Sequence, residues 1–155
     1  MKHFSDGSIY EGYWEQDQPN GRGRIIRADG SVYEGDVKNG MAHGSGHICH
    51  ANNSTYEGQW VADKKQGHGS EVWPSTEPPS TYEGNYENSN RNGHGKFTWP
   101  DGSSYTGNFV NNVCTGKGTY AWTDGRYYVG EWKDNVMEGK GVFTWKDGRK
   151  YTGEY

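Results

Sequence analysis

The phrase Tyr105-Thr106-Gly107-Asn108-Phe109, followed by Gly116-Lys117-Gly118-Thr119-Tyr120, recurs along nearly the whole chain. Its opening tyrosines are Tyr10, Tyr33, Tyr56, Tyr82, Tyr105 and Tyr128, 23 residues apart except for the 26 between Tyr56 and Tyr82. From the first glycine of each copy to its Gly-x-Gly the step is always nine, as from Gly107 to Gly116. The three extra residues therefore fall in Trp73-Pro74-Ser75-Thr76-Glu77-Pro78-Pro79-Ser80-Thr81, where three prolines imply a longer loop that cannot continue a ladder. A chain built from one short unit must stack copies of that unit, because a single copy cannot bury its own apolar face.

Each half of the unit alternates with period two. Tyr105, Gly107 and Phe109 share one face; Gly116, Gly118, Tyr120 and Trp122 share one face of the next segment, with Lys117, Thr119 and Ala121 opposite. Period two is the mark of a strand. Helix is excluded from the other side, since there is no leucine and 25 of 155 residues are glycine. Asn39-Gly40 within a unit, and Asp29-Gly30, Asp101-Gly102, Asp124-Gly125 and Asp147-Gly148 between units, supply tight turns. Glycine is costly in strands, but here it alternates with large rings. The expectation is that rings from one strand lie over the glycines of the next, so that the sheet makes its core on one face and leaves Glu, Lys, Arg, Thr and His wet on the other. The predicted fold is all-β: an elongated single-layer antiparallel β-meander, a solenoid of about six to seven 23-residue hairpin repeats.

These residues resemble MORN repeats, the membrane occupation and recognition nexus family, whose phrase is YxGxW followed by GxGxxxxxDG. The resemblance spans roughly residues 4–155, as one array over 1–155. Full repeats start near 10, 33, 56, 82, 105 and 128, with partial repeats at 1–9 and 151–155. The departures are Val37 in place of an aromatic, Arg27 and His50 where later repeats have Trp99, Trp122 and Trp145, and Glu71 where others have Ile25, Phe97, Tyr120 and Phe143. The resemblance implies a ribbon used for binding or scaffolding. Such arrays also occur as segments of phosphatidylinositol-phosphate kinases and of a SET-domain methyltransferase.

Net charge is −4 with both signs interspersed, which gives no electrostatic reason to bind nucleic acid and little to bind an anionic membrane. Cys49 and Cys114 stand too far apart to read as a disulfide framework, and no signal-peptide core or membrane-spanning run is present. A cytoplasmic setting follows, with peripheral attachment to membrane or cytoskeleton as the family resemblance implies. The sequons within Asn52-Asn53-Ser54-Thr55 read as turn residues. No catalytic constellation and no cofactor motif is visible: Gly21-Arg22-Gly23 lacks the helix and the Lys-Ser/Thr of a phosphate loop. The chain is read as not an enzyme.

A one-layer sheet cannot cover its aromatic face completely, so a partner groove is expected in the tryptophan-rich later repeats. Its candidate residues are Tyr86, Trp99, Phe109, Tyr120, Trp122, Trp132, Phe143 and Trp145. A peptide or an amphipathic helix is the expected occupant. His47, Cys49 and His50 are weak metal candidates, because strand phase puts His50 on the face opposite the other two. Glu71 among rings is expected to turn outward on a one-residue bulge. The chain also starts and stops inside a repeat, which fits a piece of a longer array, or a homodimer joined through its end strands. The reading is a non-catalytic scaffold that binds protein partners at a membrane or the cytoskeleton. Two alternatives stay open: a regulatory segment of a kinase or methyltransferase of the kinds named above, and a module with weak direct phospholipid association.

Overall fold

A computed structural model describes all of residues 1–155. It contains fourteen strands and no helix: β1 (Lys2–His3), β2 (Ile9–Glu15), β3 (Gln18–Ile26), β4 (Val32–Lys38), β5 (Met41–Cys49), β6 (Thr55–Val61), β7 (Lys64–Trp73), β8 (Ser80–Glu87), β9 (Asn90–Thr98), β10 (Ser104–Val110), β11 (Val113–Ala121), β12 (Tyr127–Lys133), β13 (Val136–Thr144) and β14 (Lys150–Glu154). They form one open sheet in chain order, every neighbouring pair antiparallel. The proline segment lies between β7 and β8, where three residues were expected to be spare.

The two glycines of each Gly-x-Gly do different work. The second is a seat. Tyr10, Tyr33, Tyr56, Tyr82, Tyr105 and Tyr128 are at most 1% exposed. Their rings lie over Gly23, Gly46, Gly69, Gly95, Gly118 and Gly141, at the place where a Cβ would stand. Each hydroxyl donates to the backbone carbonyl three residues on, for example Tyr105 to Asn108 at 2.8 Å and Tyr33 to Asp36 at 2.6 Å. The buried phenol thus leaves no orphaned polar atom. The first glycine, such as Gly116 at φ +85°, sits where the register slips between Gly107 and Phe109, a left-handed conformation that glycine takes at little cost.

Inside each repeat the hairpin is closed by two consecutive residues at positive φ, the signature of a type I′ turn. Only one of these turns is Asn-Gly. The others are Gln16-Asp17, Ala62-Asp63, Asn88-Ser89, Asn111-Asn112 and Asp134-Asn135. The second turn residue reaches back to the preceding repeat. Asn135 N–H donates to Cys114 O at 3.0 Å and its side-chain Oδ1 accepts from Cys114 N–H at 2.8 Å; Asn112 does the same with Arg91, and Asp63 with Ala42. Glycine would satisfy the backbone angle but could not make the second bond. In four of the turns that follow a full repeat an Asp side chain accepts from the residue two further on: Asp29 from Ser31, Asp101 from Ser103, Asp124 from Arg126, Asp147 from Arg149; Asn52 accepts from Ser54 in the same way.

Above the seats runs a chain of edge-to-face rings. Tyr33 and Tyr56 both meet Trp60; Tyr56 and Tyr82 meet Tyr86; Tyr82 and Tyr105 meet Phe109; Tyr105 and Tyr128 meet Trp132, with centroids 5.0–5.7 Å apart. Each such pair adds about 0.5–1.5 kcal/mol to simple burial. From Tyr33 to Tyr128 each repeat is therefore linked to the next by a shared ring. Val37 interrupts the chain once, between Tyr10 and Tyr33.

Candidate functional site

A second row of rings flanks the first on the same face and is only half covered. It runs Trp73, Phe97, Trp99, Tyr120, Trp122, Phe143, Trp145, with successive centroids 5.5, 4.9, 5.5, 4.6, 5.3 and 4.7 Å apart. Strand alternation places two of these rings in each of the last three full repeats, two and four residues after the seat glycine, and Trp73 alone four residues after Gly69. The outer one always ends β7, or follows β9, β11 or β13. Trp145 is 37% exposed, and the other six are partly buried.

The eight residues expected to line a groove are thereby divided. Trp99, Tyr120, Trp122, Phe143 and Trp145 lie in the half-covered row. Tyr86, Phe109 and Trp132 lie in the inner row, at 3%, 3% and 8% exposure. Trp132 is further occupied by donating its indole N–H to Gly118 O at 3.2 Å, as Trp60 donates to Gly46 O at 3.0 Å. The register slip beside Gly107 and its equivalents lets both rows share one face, and simple alternation could not separate them. Trp73 and Phe97 join the row although sequence reasoning did not place them in the groove. Their position relative to the seats Gly69 and Gly95 was the available signal.

The row of rings does not continue into the early repeats, where Arg27 and His50 take the outer places and Ile25, Ile48 and Glu71 the inner ones. Glu71 is the main correction to the sequence reading. There is no bulge: Glu71 pairs in register with Tyr56 on one side and Tyr82 on the other, and its side chain points inward at 8% exposure. Partners offset the desolvation cost. Lys65 Nζ donates to Glu71 Oε1 at 3.2 Å, and the Tyr86 hydroxyl donates to the same oxygen at 2.7 Å. Burial first, and then Glu71, push the Tyr86 phenol far above its ordinary pKa. Lys65 also lies 5.1 Å above the Tyr56 ring and 3.4 Å from His50 Nε2. Burial, and then Lys65, hold His50 below its usual pKa. Further forward, Arg27 pairs with Asp63 at 2.8 Å. Arg27, His50 and Glu71 thus close the aromatic channel at Trp73.

His47 and Cys49 lie on β5 and His50 just after it, and no three potential ligands come together anywhere in the chain. Cys114 is buried, and burial raises its thiol to about 11.

Along the channel the charged groups are few. Arg126 lies over Trp122 at 5.3 Å and Arg149 over Trp145 at 5.9 Å, each tied at 2.7 Å to the carboxylate of its own turn, Asp124 and Asp147. Arg91 lies over Trp73, Tyr82, Phe97 and Phe109 at 5.4–5.9 Å and has no carboxylate partner.

Six stretches of the chain, residues 10–32, 33–55, 56–76, 82–104, 105–125 and 128–148, match the family model of the MORN repeat. The chain belongs to the MORN repeat family. This is a repeat module, and no catalytic family is indicated. Comparison with curated proteins gives no significant match. Among solved structures, the MORN array is similar to the TCP domain of SAS-4 (dCPAP) of Drosophila melanogaster, a structure in complex with a proline-rich motif of Ana2 (dSTIL). The TM-score is 0.57 at 13% identity, over 99% of this chain and 81% of that one. At that identity the likeness is one of fold.

Proposed function

We propose that this array is a non-catalytic binding scaffold that takes up an extended segment of a protein partner along the channel from Trp73 to Trp145. The observation that carries this reading is the second ring row itself. Its rings are half covered on a face where the tyrosine row is sealed, and they run in an unbroken line from Trp73 to Trp145, two to each of the last three full repeats. Tryptophan and tyrosine held rigidly at a surface are the side chains that most often anchor a partner. The similarly folded TCP domain carries a peptide motif, which supports a peptide as the class of ligand here. The bulk of the packing is between consecutive strands and neighbouring repeats, so an array of this kind also suits the holding of a larger assembly; attachment at a membrane or the cytoskeleton is the setting the family resemblance supplies.

The experiment is a selection from a displayed random-peptide library against the intact array, repeated against Trp99→Ala/Trp122→Ala. Selected peptides should bind the parent in solution and lose binding to the variant. If no selected peptide depends on the two tryptophans, the channel is not the binding site.

A further inference from the structure

The channel has a spacing, a hydrogen-bonding character and a charge, and all three describe the same ligand. The spacing comes from the sheet. One outer-row tryptophan is provided per two strands, hence one per ~9.6 Å along the array. A polyproline-II helix repeats every three residues at ~3.1 Å each, about 9.3 Å per turn. A segment in that conformation, laid along the array, would present the same edge to Trp73, Trp99, Trp122 and Trp145 in turn. A helix repeats at ~5.4 Å and a strand at ~6.8 Å, and neither stays in step.

The hydrogen-bonding character comes from the indoles. In the inner row Trp132 and Trp60 spend theirs on backbone carbonyls within the protein. The indole N–H groups of Trp73, Trp99, Trp122 and Trp145 have no acceptor in the protein, so the channel offers a line of donors. A proline-rich chain is its complement: its carbonyls accept, and it brings few N–H groups that would themselves need acceptors. Its ordering cost is also low, because the conformation is largely preformed.

The charge comes from Arg91. Its guanidinium stacks over four rings at the Trp73 end, donates to Asn112 O at 3.3 Å, and has its Nε buried with no acceptor. The other cations over the channel, Arg126 and Arg149, are already neutralised by Asp124 and Asp147, and Lys65 by Glu71. Among the cations stacked on the rings of the channel, Arg91 alone therefore lacks a carboxylate partner.

We infer that the occupant is a proline-rich segment of about ten residues in the polyproline-II conformation, one turn per repeat, with an acidic residue at the end that lies over Arg91. This rests on the channel being a peptide site, and the test separates the two claims. Tryptophan fluorescence and calorimetry would follow titration of the full chain with two ten-residue peptides, nine prolines with Asp at either end. The same pair with Lys in place of Asp and an amphipathic 18-residue helical peptide serve as comparisons. One Asp peptide should bind saturably. Arg91→Met, the residue found at the same position of the last repeat as Met137, should remove its advantage over the Lys peptide. Trp122→Phe keeps a ring and removes one donor, and should weaken binding about fivefold. Trp99→Ala/Trp122→Ala, with thermal melts to confirm folding, should abolish it.

Saturable binding of the helical peptide alone, or library peptides that need Trp99 and Trp122 but lack proline, would overturn the polyproline-II assignment and leave the peptide site standing. Absence of any tryptophan-dependent peptide would overturn both. So would tryptophan-dependent binding to phosphatidylserine vesicles in place of peptide, or a dimer by light scattering that the tryptophan variant dissolves.

Discussion

The ring of Tyr105 occupies the space in which a side chain on Gly118 would begin, and its hydroxyl is held by Asn108 O at 2.8 Å. Two strands are thereby locked at one point. The glycine two residues earlier, Gly116, has a different reason to be glycine, its φ of +85°. Asparagine tolerates that conformation but brings a Cβ. Gly116→Asn should therefore cost little in a thermal melt. Gly118→Asn should cost roughly 1–3 kcal/mol or more, because the ring must leave its seat. Equal costs would show that the two glycines do the same job.

The two ring rows separate on truncation. Trp132 is 8% exposed and touches Tyr105 and Tyr128 edge-on, so Trp132→Ala should destabilise by about 3–5 kcal/mol. Trp122 is only half covered, and Trp122→Ala should cost clearly less in urea unfolding while affecting ligand binding more. A Trp122→Ala penalty as large as that of Trp132→Ala would place the outer row in the core.

The hairpin tips add a coupling between repeats that depends on one amide. Asn135 bonds Cys114 through both backbone and side chain, at φ +69°. Asn135→Gly relaxes the backbone and loses only the side-chain bond, about 1 kcal/mol. Asn135→Ala loses the bond and adds left-handed strain of about 1–2 kcal/mol. Denaturation midpoints should fall in the order Asn, Gly, Ala; a glycine variant as stable as the parent would mean that the amide bond contributes nothing.

Much of this fold was legible because the repeat is constant. The tyrosine-over-glycine seat, the strand order and the position of the proline loop all follow from Tyr105 through Tyr120 read as a unit. Three things were not. Turns such as Ala62-Asp63 carry no glycine, and their second residue is selected by a bond to the previous repeat, which a local reading cannot see. The inner and outer rings look alike in sequence, because only the slip beside Gly107 decides that Phe109 is sealed and Trp122 is half open. Glu71 was expected to turn outward because a lone carboxylate among rings is costly. It is not alone, and its partners Lys65 and Tyr86 lie six residues before it and fifteen after it.

That network gives a double-substitution prediction. Lys65 and Glu71 side chains are 12% and 10% exposed. Breaking a fully buried pair by removing one partner costs about 3–5 kcal/mol, so Lys65→Met should approach that range. Glu71→Phe installs the ring type of Phe97 and Phe143 at the same place, and alone leaves Lys65 unpaired. The double variant should recover most of the stability of the parent, since an apolar replacement of a buried pair is often neutral or better. Additive losses in a double-mutant cycle would mean that the pair is not an energetic unit.

His50 should make the stability of the early repeats depend on pH. Burial and the Lys65 ammonium at 3.4 Å disfavour its protonated form, while Glu71 and Asp29 act weakly the other way. Its folded pKa lies below the unfolded value of 6.5, so above about 6.5 the histidine is neutral in both states and its contribution to stability is fully present. As pH falls below 6.5 the unfolded chain takes the proton first, and stability is lost until the folded pKa is passed. Urea midpoints between pH 8 and pH 5 should therefore drop in the parent. They should drop less in His50→Trp, which removes the titrating group and extends the outer row by the residue that Trp99, Trp122 and Trp145 already supply. Parallel pH profiles for the two proteins would show that His50 protonates as freely in the fold as outside it.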